Sequence, residues 1–414
     1  MKQAMAMILA GGRGKRMDIL CDHRPKPMLP IGGKSRVIDT TLSNCIHSQI
    51  DGIAVLVDYQ RSAMIQYMEQ WSLTNVKDFH VPVLQPKSVC YKGTADAIYQ
   101  NFDYLEKDGA DDILILAGDH VYQMDYREMI SFHNQMRADL TVGIVRVPIK
   151  DANRFGTVLI EAEGRIKEFV EKSSTPVSDL ASMGIYVFKR SFLIEQLEKD
   201  ARNPNSSHDF GYAILPNIVK QNRVFGYEFK GYWQDIGTIE SYYQANMQLL
   251  KEKVNADASP ILTINGSAKG CITDVPGYIV NSMISPGCLI GGYVENSILS
   301  PGVWVGEKAR VINSIVMANT VIGSHSLIEN SILDEDIHVG QSCHIGLRNS
   351  RLDDKGNITV IGKGVIVPHY TDIDGQHKVL PKVAAGGSKS SVVIADYAVS
   401  SPSTTFVGAR NTYN

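Results

Sequence analysis

The stretch MILAGGRGKRMDILCDHRPKPMLPIGGK, residues 7–34, joins a short apolar run to a glycine-rich and strongly basic segment. Gly11, Gly12 and Gly14 follow the apolar run directly, and lysines and arginines recur through the rest of the stretch. Glycines let the backbone approach an anion closely and point its N–H groups at it. This composition predicts a buried strand followed by a phosphate-binding loop, with a basic surface turn as the alternative.

The loop differs from the two best-known phosphate motifs. GGRGKR has no third glycine at the dinucleotide spacing, and it has no Gly-Lys-Ser/Thr of the Walker type. Further along, Lys26 stands between Pro25 and Pro27. Because prolines restrict the backbone on both sides, we expect Lys26 to be held in one direction rather than loosely solvated.

Length, net charge and cysteine spacing restrict the classes of protein to which this chain can belong. The chain has 414 residues, enough for two domains, and its formal net charge is −3, so no bulk field favours nucleic acid or an anionic membrane. Its six cysteines form no CxxC pair, which favours reduced thiols in a cytoplasmic protein over a disulfide framework. We see no signal peptide and no apolar stretch of bilayer length.

Residues 1–252 alternate apolar runs with amphipathic segments. The runs AMAMILA (4–10), GIAVLVD (52–58), DILILAG (112–118), LTVGIVRVP (140–148) and SMGIYVF (182–188) are predicted strands. Between them, GTADAIYQNFDYLEKDG and YREMISFHNQM are predicted helices. Strands alternating with helices indicate parallel βαβ units, and continuous apolar runs indicate strands covered on both faces. We therefore expect an α/β domain with a Rossmann-like, mostly parallel sheet.

Residues 276–414 follow a different pattern. Aliphatic residues recur about every six positions, and the tetrapeptides NSMI, NSIL and NSIV recur at a longer period. A hexapeptide period predicts a parallel β-helix, expected to be left-handed, whereas unrelated strands of a β-sandwich are the alternative. The polar segment 253–275 is a predicted linker. The last forty residues lose the pattern, and their fold is not predicted.

The ordered motifs resemble a known family. LAGGRGKRM, RPKPMLPIGGKSRVIDTTLSNC, YKGTADAIYQN, LAGDHVYQMDY, FVEKS, NSSHDFG and YWQDIGT are similar, in this order, to sugar-nucleotide pyrophosphorylases. More narrowly they resemble the bacterial glucose-1-phosphate adenylyltransferases (ADP-glucose pyrophosphorylases) of glycogen synthesis. The resemblance implies a nucleotidyltransferase that transfers AMP from ATP to α-D-glucose 1-phosphate, with a β-helical second domain.

The resemblance also implies a Mg²⁺ site at Asp119 and Asp235. Asp119 directly follows an apolar strand, where open α/β sheets bind ligands, although it could instead cap a helix beginning at HVYQMDY. Asp235 lies in QDIGT, which could equally be a plain turn. Carboxylates suit Mg²⁺, which takes one or two of them together with substrate phosphates. The expected catalytic residues are Arg16, Lys26, Asp119 and Asp235.

The remaining site residues are also implied by the resemblance. For ATP they are Leu9, Ala10, Gly11, Gly12, Gly14, Gln85, Tyr91, Gly93 and Thr94. For glucose 1-phosphate they are Gly156, Glu171, Lys172, Ser182, Gly184, Tyr186, Asp209, Phe210 and Trp233. From the residues alone, Thr94 could be a helix cap, and Phe210 and Trp233 could be core residues. His120 and His208 lack partners at catalytic spacing, so we assign them no chemistry.

Family enzymes are tuned by sugar-phosphate or nucleotide effectors and are usually homotetramers. Arg13, His23 and Arg24 are the allosteric candidates, and His23 stands where some members carry an activator lysine, which would make anion binding depend on pH. Three other functions remain alternatives: a pyrophosphorylase for UTP or dTTP, a non-catalytic regulatory subunit, and a hexapeptide acyltransferase. The retained loop, Asp119 and Lys172 favour an active enzyme.

Overall fold

The computed structural model describes residues 4–50, 52–75, 81–251, 261–264, 278–346, 358–375, 377–381 and 392–396. They form an α/β domain and a parallel β-helix, which confirms the predicted fold class. Among the described residues, none of the helices combines the length and the hydrophobicity needed to cross a bilayer.

Within the described residues, the α/β domain contains thirteen strands and eight α-helices. The strands are β1 Ala4–Leu9, β2 Pro30–Ile31, β3 Ser35–Arg36, β4 Gly52–Leu56, β5 Val83–Leu84, β6 Asp112–Ala117, β7 His120–Tyr122, β8 Leu140–Arg146, β9 Gly156–Ile160, β10 Ile166–Glu171, β11 Leu180–Lys189, β12 Val224–Glu228 and β13 Trp233–Asp235. The helices are α1 Val37–His47, α2 Arg61–Asn75, α3 Thr94–Tyr99, α4 Phe102–Asp108, α5 Tyr126–Gln135, α6 Arg190–Ala201, α7 Leu215–Ile218 and α8 Ile239–Lys251. Short 3-10 helices span Lys15–Cys21, Lys26–Met28, Ile149–Arg154 and Ala162–Gly164, and a single π-turn spans Phe210–Ile214.

The central sheet is built on four parallel strands in the order β6-β1-β4-β5. Alternate residues of β1 enter two separate cores: Met5 and Met7 face one, and Ala6 and Ile8 face the other. All four side chains are fully buried. Apolar layers on both faces explain why the sequence runs continuously apolar here instead of alternating.

The far half of the sheet contains antiparallel pairs, which the predicted mostly parallel sheet allows. Strand β11 pairs antiparallel with β6 and with β8, and β9 and β10 form an antiparallel hairpin beside it. The predicted helix at 93–109 is also divided, into α3 and α4. Apolar runs and helical periods alone do not encode strand direction, which is set by the connections between elements.

In the part of the second domain that the structure describes, eighteen short strands wind into three sheets. They are β14 Tyr278–Val280, β15 Met283–Ile284, β16 Leu289–Ile290, β17 Tyr293–Glu295, β18 Ile298–Leu299, β19 Trp304–Val305, β20 Arg310–Ile312, β21 Ile315–Val316, β22 Val321–Ile322, β23 Leu327–Glu329, β24 Ser331–Leu333, β25 His338–Val339, β26 His344–Ile345, β27 Thr359–Ile361, β28 Ile366–Val367, β29 Asp372–Ile373, β30 His377–Pro381 and β31 Val392–Asp396. Every pairing is parallel except that of β30 with β31. Aliphatic residues stack inside the coil, as the hexapeptide period predicts.

The repeated Asn-Ser pairs form the corners of this coil. Asn281, Asn296, Asn313 and Asn330 all have positive φ, between 41° and 47°, where asparagine is better tolerated than most residues. The serine that follows each of them is buried, and the N–H of one serine donates to the hydroxyl of the serine one coil earlier, at 3.0–3.2 Å. The tetrapeptide repeat therefore satisfies buried backbone donors from coil to coil.

Most of the predicted linker and the final segment lie outside the described residues. Helix α8 ends at Lys251, and β14 begins at Tyr278. Within the interval, residues 261–264 pack on the α/β domain: the Leu262 N–H donates to the Ser43 hydroxyl at 2.8 Å, and the Trp71 indole donates to the Leu262 carbonyl at 3.3 Å. The boundaries 1–252, 253–275 and 276–414 stay a prediction.

The two domains are joined by a buried ion cluster. Arg24 is only 5% exposed; its Nη1 lies 2.8 Å from Asp334 Oδ1, and its Nη2 lies 3.0 Å from Glu335 Oε2. Arg36 and Lys363 also contact Glu335, at 3.1 and 3.0 Å. Burial by itself raises the pKa of Glu335, but Arg24, Arg36 and Lys363 outweigh it and bring the pKa to about 2.

Replacing Arg24 should therefore weaken the whole chain. In Arg24→Ala the Asp334 carboxylate, 1% exposed, loses its cation, and breaking such a buried pair costs about 3–5 kcal/mol of unfolding free energy. The drop in Tm is measured by calorimetry on the full chain. Arg146→Ala is the control, since exposed Arg146 pairs with Asp179 and Glu228 on the surface and should cost about 0–1 kcal/mol. Equal Tm losses in the two variants would contradict the role of the cluster.

Candidate active site

A cavity of about 470 Å³ opens at the carboxyl edge of the parallel strands. Leu9, Leu56 and Ala117, the last residues of β1, β4 and β6, all line it. Open α/β sheets bind ligands at this edge because the loops that leave neighbouring strands diverge there. The opposite wall comes from the β9/β10 hairpin, β11, β13 and the π-turn.

Most residues predicted for the site meet in this cavity. Those among the lining residues are Leu9, Gly11, Gly12, Arg16, Lys26, Tyr91, Gly93, Thr94, Asp119, Gly156, Glu171, Lys172, Ser182, Gly184, Tyr186, Asp209, Phe210 and Asp235. The cavity thus collects residues spread over more than two hundred positions of the chain. Their individual roles stay predictions.

The glycine loop forms one rim of the cavity. A Cβ at Gly11 would lie 3.3 Å from the Asp58 Cβ, so the loop passes close to the end of β4. Gly14 has φ +63°, and a Cβ there would lie 2.8 Å from Cys21 Sγ, so this turn requires glycine. Arg16 is exposed at the rim, within the 3-10 helix that follows.

Lys26 bridges two carboxylates at the centre of the site. Its Nζ lies 2.7 Å from Asp119 Oδ2 and 3.4 Å from Asp235 Oδ1, and the lysine side chain is 8% exposed. Pro25 and Pro27 flank it, and Lys26 begins a 3-10 turn, which is the restricted backbone that the sequence predicted. Asp119 follows β6 and precedes β7, so it does not cap a helix.

The charges of this centre stabilise one another. Burial lowers the pKa of the Lys26 ammonium, but Asp119 and Asp235 outweigh that effect, and its pKa lies above the usual value. Burial raises the pKa of the Asp119 carboxyl, but Lys26 and then His120 outweigh it and bring the pKa to about 2. Lys26 and Asp119 are therefore both charged at neutral pH.

Asp119, His120 and Asp235 could together hold a metal ion. Each offers one ligand atom, and the three atoms lie within 4.8 Å of one another. His120 Nε2 is 3.5 Å from Asp119 Oδ1 and 3.6 Å from Asp235 Oδ1. Two carboxylates leave coordination positions for phosphate oxygens and water, so the donor set fits a hard divalent cation.

Two histidines that the sequence left without partners do have them. His120 joins the carboxylate cluster described above. His208 Nδ1 lies 2.7 Å from Asp200 Oδ2, and its carbonyl accepts the N–H groups of Ala95 and Asp96 at 2.9 and 3.2 Å. The sequence showed no partner for either histidine at catalytic spacing, and it is the fold that brings Asp235 and Asp200 to them.

At one end of the cavity, α3 begins against the segment that carries Asp209. Thr94 Oγ1 donates to Asp209 Oδ2 at 2.9 Å and accepts the Phe210 N–H at 3.0 Å. A Cβ on Gly93 would lie 2.3 Å from the His208 carbonyl oxygen, so the two segments touch backbone to backbone. Tyr91 lines the same end, and its hydroxyl accepts a hydrogen bond from Asn101 at 3.0 Å.

Beside the Asp209 segment, Glu171 and Lys172 lie next to each other at the end of β10. Lys172 Nζ lies 2.7 Å from Glu171 Oε1, and burial, which lowers the lysine pKa, is outweighed by Glu171, so that pKa is raised. A Cβ on either Gly156 or Gly211 would lie 2.5 Å from Glu171 Oε2. Both glycines therefore make room for this carboxylate. Gly184, with φ +66°, lies in β11 between Ser182 and Tyr186, where the pairing with β8 shifts register.

Four predicted ligands are not among the lining residues. Ala10 is buried behind the loop, Gly14 turns away, and Gln85 is exposed after β5 at the same edge of the sheet. Trp233 packs edge-on against His120 and Phe155, with ring centroids 5.2 and 5.3 Å apart, and so backs the wall.

The three allosteric candidates are separated. Arg13 is exposed, with its guanidinium 5.6 Å from the centroid of the Tyr59 ring, and His23 is also exposed. Arg24 is buried, and its guanidinium forms ion pairs with Asp334 and Glu335. Of the three allosteric candidates, two are therefore exposed, and Arg24 instead serves the domain interface.

Sequence reasoning missed several lining residues, among them Asp58, Arg154 and Phe155. Asp58 comes two residues after β4, so the rule that found Asp119 at a strand end could have found it too. Arg154 and Phe155 lie between a 3-10 turn and β9, and no periodicity or motif singles them out.

Comparisons with known proteins agree with this architecture. Residues 5–252 match the family described as Nucleotidyl transferase, and residues 269–368 match one described as GlmU-like, C-terminal hexapeptide. The chain is 42% identical over 388 residues to the glucose-1-phosphate adenylyltransferase of Desulforamulus reducens, covering 89% of this chain and 95% of that protein. Relatives of the same name from Desulfitobacterium hafniense and Acetivibrio thermocellus are 40% and 37% identical; they cover 90% and 93% of this chain and 96% and 94% of their own lengths.

Gly93→Ala should disturb the joint between α3 and the Asp209 segment. Its Cβ would meet the His208 backbone, which has no flexible end that could move aside, and such overpacking costs about 1–3 kcal/mol. Gly12→Ala is the matched control, because a Cβ there meets nothing within 4 Å. Thermal unfolding should show a lower Tm for Gly93→Ala only, and an unchanged Tm would show that the contact is looser than described.

Proposed function

Because the chain belongs to the glucose-1-phosphate adenylyltransferase family of nucleotidyl transferases, we propose that this cavity transfers AMP from ATP to α-D-glucose 1-phosphate. The products are ADP-glucose, the activated glucose of glycogen or α-glucan synthesis, and pyrophosphate. The observation that carries the proposal is the meeting of Lys26, Asp119 and Asp235 beside the glycine loop, at the carboxyl edge of β1 and β6. A regulatory subunit without catalysis would not need this set of charges.

The chemistry requires charge neutralisation more than proton transfer. A phosphate oxygen of the sugar phosphate attacks the α-phosphorus of ATP, and the bond from that phosphorus to the bridging oxygen of pyrophosphate breaks. The nucleophile is already an anion, so no serine, cysteine or histidine nucleophile is needed. Two like unit charges 4 Å apart repel by about 4 kcal/mol at an effective dielectric of 20, so the site has to supply cations and fix the line of attack.

We assign the nucleotide to the end of the cavity next to the glycine loop. Gly11 and Gly12 let backbone N–H groups reach the triphosphate, and Arg16 and Lys26 supply positive charge. At the same end, Tyr91 offers a ring to the base or ribose, and Gly93 and Thr94 offer backbone beside it. Ala10 and Gly14 would support this end from behind the cavity wall, and exposed Gln85 lies at the same edge of the sheet.

We assign the sugar phosphate to the end formed by the β9/β10 hairpin and β11. Lys172, held by Glu171, offers a compact positive charge to the phosphate. Glu171 and Asp209 are carboxylates suited to sugar hydroxyls, and Tyr186 with buried Phe210, ring centroids 5.8 Å apart, forms an apolar wall. Ser182, Gly156 and Gly184 complete that end, and Trp233 supports it through Phe155.

We propose Mg²⁺ as the cofactor, held by Asp119 and Asp235 with His120 beside them. When bound, such an ion neutralises phosphate charge during nucleotidyl transfer. Lys26 already contacts both carboxylates, so it keeps the two side chains converging on one point. Lys26, whose backbone is restricted by the flanking prolines, thus helps to orient the two carboxylates.

The remaining predictions concern location, oligomeric state and effectors, which family membership alone does not specify. We propose that the chain works in the cytoplasm as a homotetramer and responds to anionic sugar-phosphate or nucleotide effectors. Arg13 and His23 are exposed and near the glycine loop, which favours them over Arg24 for effector binding. The rivals are a UTP- or dTTP-using pyrophosphorylase and a hexapeptide acyltransferase; the latter leaves the large first domain unexplained.

A nucleotide comparison tests the reaction itself. With glucose 1-phosphate and Mg²⁺, ATP should give ADP-glucose and pyrophosphate at a kcat/KM at least about tenfold above UTP or dTTP, which corresponds to about 1.4 kcal/mol of discrimination. Chelation by EDTA should stop the reaction, and Mg²⁺ or Mn²⁺ should restore it. Preference for UTP or dTTP would show that the protein is a pyrophosphorylase for that nucleotide instead. Turnover in the presence of EDTA would contradict the proposed need for a metal ion.

Asp119→Asn tests the carboxylate at the end of β6. The amide keeps the shape of the side chain but removes the charge that faces Lys26 and the metal position, so kcat should fall by about 10²–10³-fold, as for loss of one electrostatic stabiliser. Asp125→Asn is the control, since Asp125, whose side chain is 37% exposed, caps α5 and asparagine caps equally well. Circular dichroism should show both variants folded, and full activity in Asp119→Asn would exclude the assigned role.

A further inference from the structure

Arg154 is a cation of the cavity that no sequence motif indicated. It ends a 3-10 helix just before β9, and its Nη2 lies 3.2 Å from Asp235 Oδ2. The guanidinium also lies 5.4 Å from the centroid of the Phe155 ring, so two contacts hold it. Within the described part of the chain Nη1 makes no hydrogen bond, and buried Nε has no partner either. The side chain is therefore fixed and still has donors to offer.

Arg154 and Lys172 leave the same end of one hairpin. Gly156 of β9 pairs with Glu171 of β10, and the Lys172 N–H donates to the Phe155 carbonyl at 3.0 Å. Each cation forms an ion pair with a different carboxylate: Arg154 pairs with Asp235, and Lys172 pairs with Glu171. Their side chains are 29% and 48% exposed, so both remain open to the cavity.

Gly237 leaves space for the contact between Arg154 and Asp235. A Cβ on Gly237 would lie 2.4 Å from Asp235 Oδ2 and 3.1 Å from Arg154 Nη2. Any larger residue at Gly237 would push the pair apart. The two carboxylate oxygens of Asp235 have different partners: Oδ2 contacts Arg154, while Oδ1 faces Lys26 and His120.

We propose that Arg154 is a second ligand of the sugar phosphate, binding its phosphate together with Lys172 across the open end of the hairpin. The inference rests on the proposed function. A phosphate monoester carries close to two negative charges near neutral pH, and Lys172 alone supplies one positive charge. Arginine presents a planar fork that suits phosphate oxygens, and the contact with Asp235 orients that fork before the substrate arrives.

The test compares Arg154→Gln and Arg154→Lys with the wild type. Loss of a charge-assisted hydrogen bond corresponds to about a 10- to 100-fold weaker interaction. Arg154→Gln should therefore raise KM for glucose 1-phosphate by about that factor, while KM for ATP changes less than about twofold. Arg154→Lys keeps the charge but loses the fork, so its KM should lie between the two. Arg146→Gln, at an exposed arginine outside the cavity, should change neither constant.

A calorimetric titration of glucose 1-phosphate into the protein without ATP separates binding from turnover. The Kd should rise in Arg154→Gln by about the same factor as the KM. If KM for both substrates rises equally, or kcat falls while both KM values hold, Arg154 acts only through Asp235 and the inference is overturned. An unchanged Kd overturns it too. A wild type that binds the sugar phosphate but makes no nucleotide sugar would refute the proposed reaction, and the Kd comparison would still decide Arg154. Arg154→Lys supplies the test should Arg154→Gln fail to fold.

Discussion

The contact of Lys26 with Asp119 and Asp235 is the interaction on which the geometry of the site depends. The three side chains come from a proline-bounded turn, the end of β6 and the short strand β13. Lys26 and Asp235 are largely buried, and a buried charge without a partner costs several kcal/mol. Lys26 therefore holds both carboxylates in place, and the segments that carry them are drawn to one edge of the sheet.

The segment that supplies Lys26 also faces the β-helix. Arg24, two residues earlier, is paired with Asp334 and Glu335, and Arg36 reaches Glu335 as well. Asp18 contacts Lys378 of the second domain. Apolar residues of both domains share one core there, including Leu29 and Met317. Domain docking and the position of Lys26 are thus physically linked, since one short stretch forms part of both surfaces.

Much of the site was predictable because its signals are local. Glycines after a buried strand, a lysine between prolines, and an aspartate at the end of β6 each express a constraint within a few residues. Arg154, and the roles of His120 and His208, were not predictable in this way. Their partners Asp235 and Asp200 lie at distances along the chain that follow no regular period, so only the folded chain shows the contacts.

By itself, the sequence determined the two-domain organisation, the strands of the parallel core, the coil of the β-helix and most of the residues around the cavity. The strands and the coil follow from hydrophobic period and turn chemistry, which act over short distances, whereas most of the cavity residues follow from the resemblance of the motifs to a known family. Tertiary structure alone decided the antiparallel direction of β11, the burial of Arg24 at the domain interface and the place of Arg154 beside Lys172. Direction, burial and charge pairing depend on which distant segments meet, and that is settled by packing the whole chain.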